Sequence, residues 1–154
     1  MKFFIRNRKA TIVNRYFGDL ELHGECWSGK VFFPPENVDL QVCISGNEAG
    51  VDREAEEQWL ILPERYNKLR PSIASELFAL YSDYVKQLDE GDLAEDFPRP
   101  LAVGEIWSAF SLILINLLPQ KHFELVYCFS ESNDDSLFTI NVEGETVKGQ
   151  YTGD

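Results

Sequence analysis

Three blocks of different hydrophobic period follow one another along this chain, and their order leaves few folds open. From about residue 10 to residue 45 apolar side chains alternate with polar ones: Ala10, Ile12 and Val13, then Leu20 and Leu22 around Glu21, then Val31 and Phe33, then Val38, Leu40, Val42 and Ile44. A period of two is the pattern of half-buried strands. The breaks at Phe17-Gly18-Asp19, Ser28-Gly29, Pro34-Pro35-Glu36-Asn37 and Ser45-Gly46-Asn47 are turn chemistry. Short strands joined by tight turns predict an antiparallel meander with one wet face.

From Asp52 the period lengthens. The acids Asp52, Glu54, Glu56 and Glu57 suit the positive end of a helix dipole. Pro63 is expected to end or kink that first helix. A second helix is expected from Pro71, a good first-turn residue, with Ile73, Leu77, Leu80, Tyr81, Tyr84, Val85 and Leu88 on one face and Gly91 as its cap. Residues 89–100 form an acidic stretch with two prolines. After it, 112–118, 123–129, 137–142 and 146–151 read as strands, joined by Pro119-Gln120-Lys121, by 131–135 and by Glu143-Gly144-Glu145. The expectation is therefore one α+β domain over 1–154: an antiparallel meander (strands within about 2–45), a central helical segment (about 52–89) packed on the sheet, an acidic loop, then a second antiparallel meander (about 111–151).

Composition fits a folded chain. Apolar residues make up 44% and aromatic ones 13%, too many large side chains for disorder despite a formal charge of -12. The N-terminus lacks the uninterrupted apolar stretch of a signal peptide, and the run from Phe110 to Leu118 is broken by Ser111 and Asn116, far short of a bilayer span. Three cysteines, Cys26, Cys43 and Cys128, are an odd set. Without a secretion signal, a disulfide framework is not expected, and a reducing cytoplasm is the simpler location.

Signatures of chemistry are sparse. Twenty-six carboxylates place some acids close together by chance, and Glu54, Glu56 and Glu57 are explained by the helix start, as Asp134 and Asp135 are by a turn. His23, Cys26 and Cys43 are three conceivable metal ligands, but they lack the two closely spaced pairs of a zinc site. His122 has no suggestive neighbour, no Gly-x-Ser-x-Gly elbow is present, and no glycine-rich loop leads from a strand into a helix. Asp39-x-Gln41 lacks the lysine of a nuclease core. No catalytic residue, metal or cofactor is therefore expected. Trp27, Trp59 and Trp107 are expected in or beside the core.

Charge says more about partners. Acidic and basic residues balance over the first fifty positions; the excess of 26 Asp and Glu over 14 Lys and Arg belongs to the rest. Such a chain repels phosphate and anionic lipid, so nucleic acid and membranes are not expected partners. The early cations Lys2, Arg6, Arg8, Lys9 and Arg15 are expected to counter the acids of the helix rather than to bind nucleic acid. A basic protein is the expected partner, steered by long-range attraction. The acidic loop is the expected contact, with Asp89, Glu90, Asp92, Glu95 and Asp96 as charges and Leu93 and Phe97 as anchors.

The hairpin Cys26-Trp27-Ser28-Gly29-Lys30-Val31-Phe32-Phe33, the helix ending in Leu80-Tyr81-Ser82-Asp83-Tyr84 and the strand Phe123-Glu124-Leu125-Val126-Tyr127-Cys128-Phe129 resemble small acidic bacterial domains of unknown function. Some members of such groups are immunity proteins in contact-dependent and polymorphic toxin systems. That resemblance implies a non-enzymatic protein that neutralises a toxin, with no catalytic residues. Two other classes stay open: a small enzyme with a carboxylate or metal site, and a structural or regulatory subunit of a homo-oligomer paired through a sheet edge.

Overall fold

The computed structural model describes residues 10–87, 102–130 and 136–152. Four strands come first: β1 (Thr11–Asn14), β2 (Gly18–His23), β3 (Cys26–Phe33) and β4 (Val38–Asn47), each antiparallel to the one before. A two-residue strand β5 (Gly50–Val51) folds back on β4, and one helix α1 (Arg53–Gln87) follows. After a four-residue helix α2 (Ile106–Ala109), strands β6 (Phe110–Leu118), β7 (His122–Phe129), β8 (Leu137–Glu143) and β9 (Thr146–Thr152) form the second antiparallel run. The two meanders are one sheet, in the order β1-β2-β3-β4-β6-β7-β8-β9, because β4 and β6 pair in parallel. A parallel pair needs a long crossover, and α1 supplies it.

Register explains the burial pattern. Trp27 lies opposite Ile44, Val31 opposite Leu40, Val42 opposite Ile115, Ile115 opposite Leu125, and Leu125 opposite Ile140, so the core residues run in rows across the strands. All are buried on the face that α1 covers. Strict alternation would put Phe110, Leu112, Ile115 and Leu117 on different faces. An irregularity between Leu112 and Leu114 changes the parity, so that all four are buried and Ile113 is exposed. The unbroken apolar run from Ile113 to Ile115 is the sequence trace of that bulge.

At about 1.5 Å per residue, α1 is about 52 Å long, enough to cross the sheet. Trp59 meets Phe17 and Phe33 at one end, and near the other Tyr84 meets Tyr151, with ring centroids 5.2 to 6.1 Å apart. At Gly149 a β-carbon would come within 2.7 Å of Leu80 Cδ1, and the Gly149 amide donates to Glu76 Oε2 at 3.0 Å. The missing side chain is what lets the helix approach β9.

Two expectations are corrected. The helix neither ends nor divides at Pro63: α1 runs through both Pro63 and Pro71. A mid-helix proline removes one backbone bond and costs about 3 kcal/mol. Burial of Leu62 before Pro63, of Tyr66 between the two prolines, and of Ile73, Ala74, Leu77 and Tyr81 beyond Pro71 outweighs that cost. The second correction concerns the cysteines. Cys26 and Cys43 lie on adjacent strands with Cα atoms 5.7 Å apart and form a disulfide, a separation within the usual range for the bond. Sequence spacing could not show that β3 and β4 pair in the register that brings them together. Among the described residues, no helix is long and apolar enough to cross a membrane.

Candidate interaction surface

The residues 88–101 lie outside the described ones, and with them Asp89, Glu90, Asp92, Leu93, Glu95, Asp96 and Phe97, the loop expected to make contact. Acidic side chains still outnumber basic ones almost two to one among the described residues. The acidic start of the helix is among the described residues. Glu54 and Glu57 are exposed, and Arg53 pairs with Glu57 at 3.4 Å. Arg15, the one early cation among the described residues, pairs with Glu56 at 3.7 Å and lies over the Tyr16 ring. It is the counter-charge that the sequence led us to expect.

Further along the same helix two large apolar residues face solvent. Leu60 is 56% exposed and Ile61 57%. They form a ridge with a hollow on each side. On the Leu60 side, Tyr16, Phe32, Pro34, Trp59, Leu60 and Pro63 line a groove of about 430 Å³. Phe32, 52% exposed, alternates outward on β3 between the buried Val31 and Phe33. On the Ile61 side, Glu54, Glu57, Gln58, Ile61, Arg65 and Lys121 line a cavity of about 190 Å³ between α1 and the β6–β7 turn. That turn holds Gln120 and Lys121 in the left-handed region, with φ of 63° and 58°, a conformation non-glycine residues seldom adopt. Gln58 is 3% exposed; its Nε2 donates to the His122 carbonyl at 3.3 Å. Its Oε1 has no hydrogen-bond partner among the described residues. An unpaired buried acceptor costs about 1–3 kcal/mol.

An apolar ridge with charged side chains of both signs along its flanks, Lys30 in one hollow and Glu54, Glu57, Arg65 and Lys121 in the other, has the anatomy of a protein interface, a dry centre inside a polar rim. Sequence reasoning missed it. Nothing in the sequence singles out Leu60 and Ile61, and only the packing of α1 on the sheet turns them outward.

Elsewhere the chemistry is internal. Cys26 and Cys43 bond to each other rather than joining His23 about an ion, and His23 Nε2 lies 3.8 Å from Glu21 Oε2. Among the described residues no three His, Cys, Asp or Glu side chains are grouped to hold a metal. Glu21, His23, Lys30 and Asp39 do share a depression on the uncovered face of the sheet. Burial pushes the Cys128 thiol up, away from thiolate reactivity.

A buried polar cluster joins α1 to the sheet. Tyr66 donates to Glu36 Oε1 at 2.5 Å, and its hydroxyl lies 2.9 Å from that of Tyr127. Arg70 approaches Glu36 at 3.8 Å and stacks on Trp107 at 4.3 Å. Burial, above all, drives both phenol pKa values far upward. In the unfolded chain both phenols ionise near pH 10. The folded state therefore holds more protons than the unfolded one above that pH, and stability falls as pH rises. Each phenol contributes a slope of about 1.4 kcal/mol per pH unit. We expect alkaline unfolding in which Tyr66 and Tyr127 form phenolate only as the fold is lost. The Tyr66→Phe variant should show about half the slope. Ordinary titration of all six tyrosines in the native protein, followed by absorbance, would contradict this.

No protein-family model matches the chain, and no curated protein or solved structure matches it.

Proposed function

We propose that this chain is a non-enzymatic protein-binding module that docks a basic partner, with neutralisation of a basic toxin as its sharpest form. The observation that carries the reading is the Leu60-Ile61 ridge, exposed beside the Phe32 groove and flanked by Glu54, Glu57 and Glu64. More than half of each of these two side chains faces water, and a partner that covers them gains a large part of the about 1.5–3 kcal/mol that full burial of such a side chain contributes. The chain's formal charge of -12 raises the encounter rate with cations and disfavours acidic competitors. Residues 89–97 extend the same acidic character.

Capture from a native lysate with the tagged protein at low and at high salt tests this. The expected result is one basic protein, released by salt and lost from a bait carrying Phe32→Ser and Leu60→Ser. Charge neutralisation of Asp89, Glu90, Asp92, Glu95 and Asp96 to Asn or Gln is expected to weaken capture as well. Failure of any salt-sensitive protein to bind would overturn the reading and favour a small ligand or an enzyme.

A further inference from the structure

We propose that the Phe32 groove takes an extended segment of the partner as an added strand, hydrogen-bonded to the open side of β3 at Lys30 and Phe32. The inference rests on the reading that a basic protein covers this groove, and says how it is held. Pairing of β2 with β3 ends at Glu21 opposite Ser28. Beyond that point β2 leaves the ladder. At Gly29 a β-carbon would come within 2.8 Å of the Asp19 carbonyl oxygen, so the departing strand crosses the space a side chain would fill. Strand β4 continues beside β3 as far as Phe33 opposite Val38. The last part of β3 is therefore paired on one side only.

One hydrogen bond fixes where its free backbone groups point. The Leu22 amide donates to the Ala10 carbonyl at 2.9 Å, away from β3. Glu21 and His23 are then the residues of β2 that bond β3, through Ser28 and Cys26. In an antiparallel ladder the amide and carbonyl of every second residue point to the same side. Those of Lys30 and Phe32 follow Ser28 and point into the opening. Among the described residues no backbone hydrogen bond from the β1–β2 turn, residues 15–17, reaches Phe32. A strand edge with free donors and acceptors is a template for another strand.

An added antiparallel segment places one residue opposite Phe32 on the open face of the sheet. Its two neighbours turn to the α1 side, against Tyr16, Trp59 and Leu60, a wall that suits apolar side chains. Opposite Phe32 a cation fits, because it can lie over the exposed ring. Asp39, the cross-strand neighbour of Phe32, is exposed and forms no ion pair among the described residues, so it supplies the opposite charge. A cation opposite Lys30 would meet like charge, which fixes the register. The occupant is an extended segment in which a basic residue stands between two apolar ones.

The probe is the peptide Thr-Val-Arg-Val-Thr, acetylated and amidated, read by amide shifts of isotope-labelled protein. Saturable shifts are expected at Tyr16, residues 30–32, Trp59 and Leu60. N-methylation of the arginine removes the donor to the Phe32 carbonyl and is expected to weaken binding about tenfold or more. N-methylation of the valine after it, whose amide points away from β3, is expected to leave affinity unchanged. Glutamate in place of arginine is expected to weaken binding about tenfold. The absence of saturable shifts, or an equal loss from the two methylations, would overturn strand addition. Capture of a basic protein that depends on Phe32 and Leu60 would stand in either case, so the two readings fail separately.

Discussion

Phe138→Ala is expected to cost about 3–5 kcal/mol of folding stability, a large part of the 5–15 kcal/mol that holds a typical domain together. Phe138 is fully buried on β8, at the centre of a group of rings. Tyr84 of α1 meets it edge-on at 5.8 Å, Phe110 of β6 edge-on at 5.1 Å, Phe129 of β7 at 5.1 Å and Tyr151 of β9 at 5.4 Å. Truncation removes the burial of a whole ring and leaves a cavity. The remaining rings, from three strands and the helix, cannot all close in at once. It also loses several edge-to-face contacts. Urea unfolding measures the effect, with Phe32→Ala as the comparison. Phe32 projects outward, so its loss is expected to change stability by no more than about 0.5 kcal/mol. A cost below about 1 kcal/mol for Phe138→Ala would contradict the packing described.

The second large effect concerns the disulfide. Cys26 and Cys43 are separated by 17 positions, and closing a loop of that length restricts the unfolded chain by about 3 kcal/mol. Cys43→Ser, or reduction, should lower the unfolding free energy by about that much. The bond itself is checked by counting thiols in the denatured, unreduced protein. One reactive thiol per chain, that of Cys128, is expected. Three would show that the bond does not form. The bond also makes a persistently reducing compartment an uncomfortable home for the protein.

The strands were legible because each has one buried face, and a half-buried strand writes its alternation into the sequence. Leu40, Val42 and Ile44 mark β4 in this way, and Phe123, Leu125, Tyr127 and Phe129 mark β7. The joining of the two meanders was not legible. Pairing of β4 with β6 depends on where a 35-residue helix returns the chain, and no local pattern encodes that. Pro63 misled for a related reason: its local cost is visible in sequence, whereas the burial of Tyr66 and Leu77 that offsets it is tertiary. Charge gave the acidic helix start and its counter-ion Arg15. It did not reveal the Leu60-Ile61 ridge, since an apolar residue on a helix reads the same whether it faces the sheet or solvent.

The central claim is that the exposed ridge and groove of α1 and β3 dock a basic protein. Its most direct test is the dissociation constant of the captured partner for the wild-type chain and for Phe32→Ser and Leu60→Ser, each at two salt concentrations. The account predicts that either substitution weakens binding about tenfold or more at unchanged melting temperature, and that salt weakens binding of the wild type. Equal affinity for all three proteins would show that the ridge is bare surface and that any partner binds elsewhere.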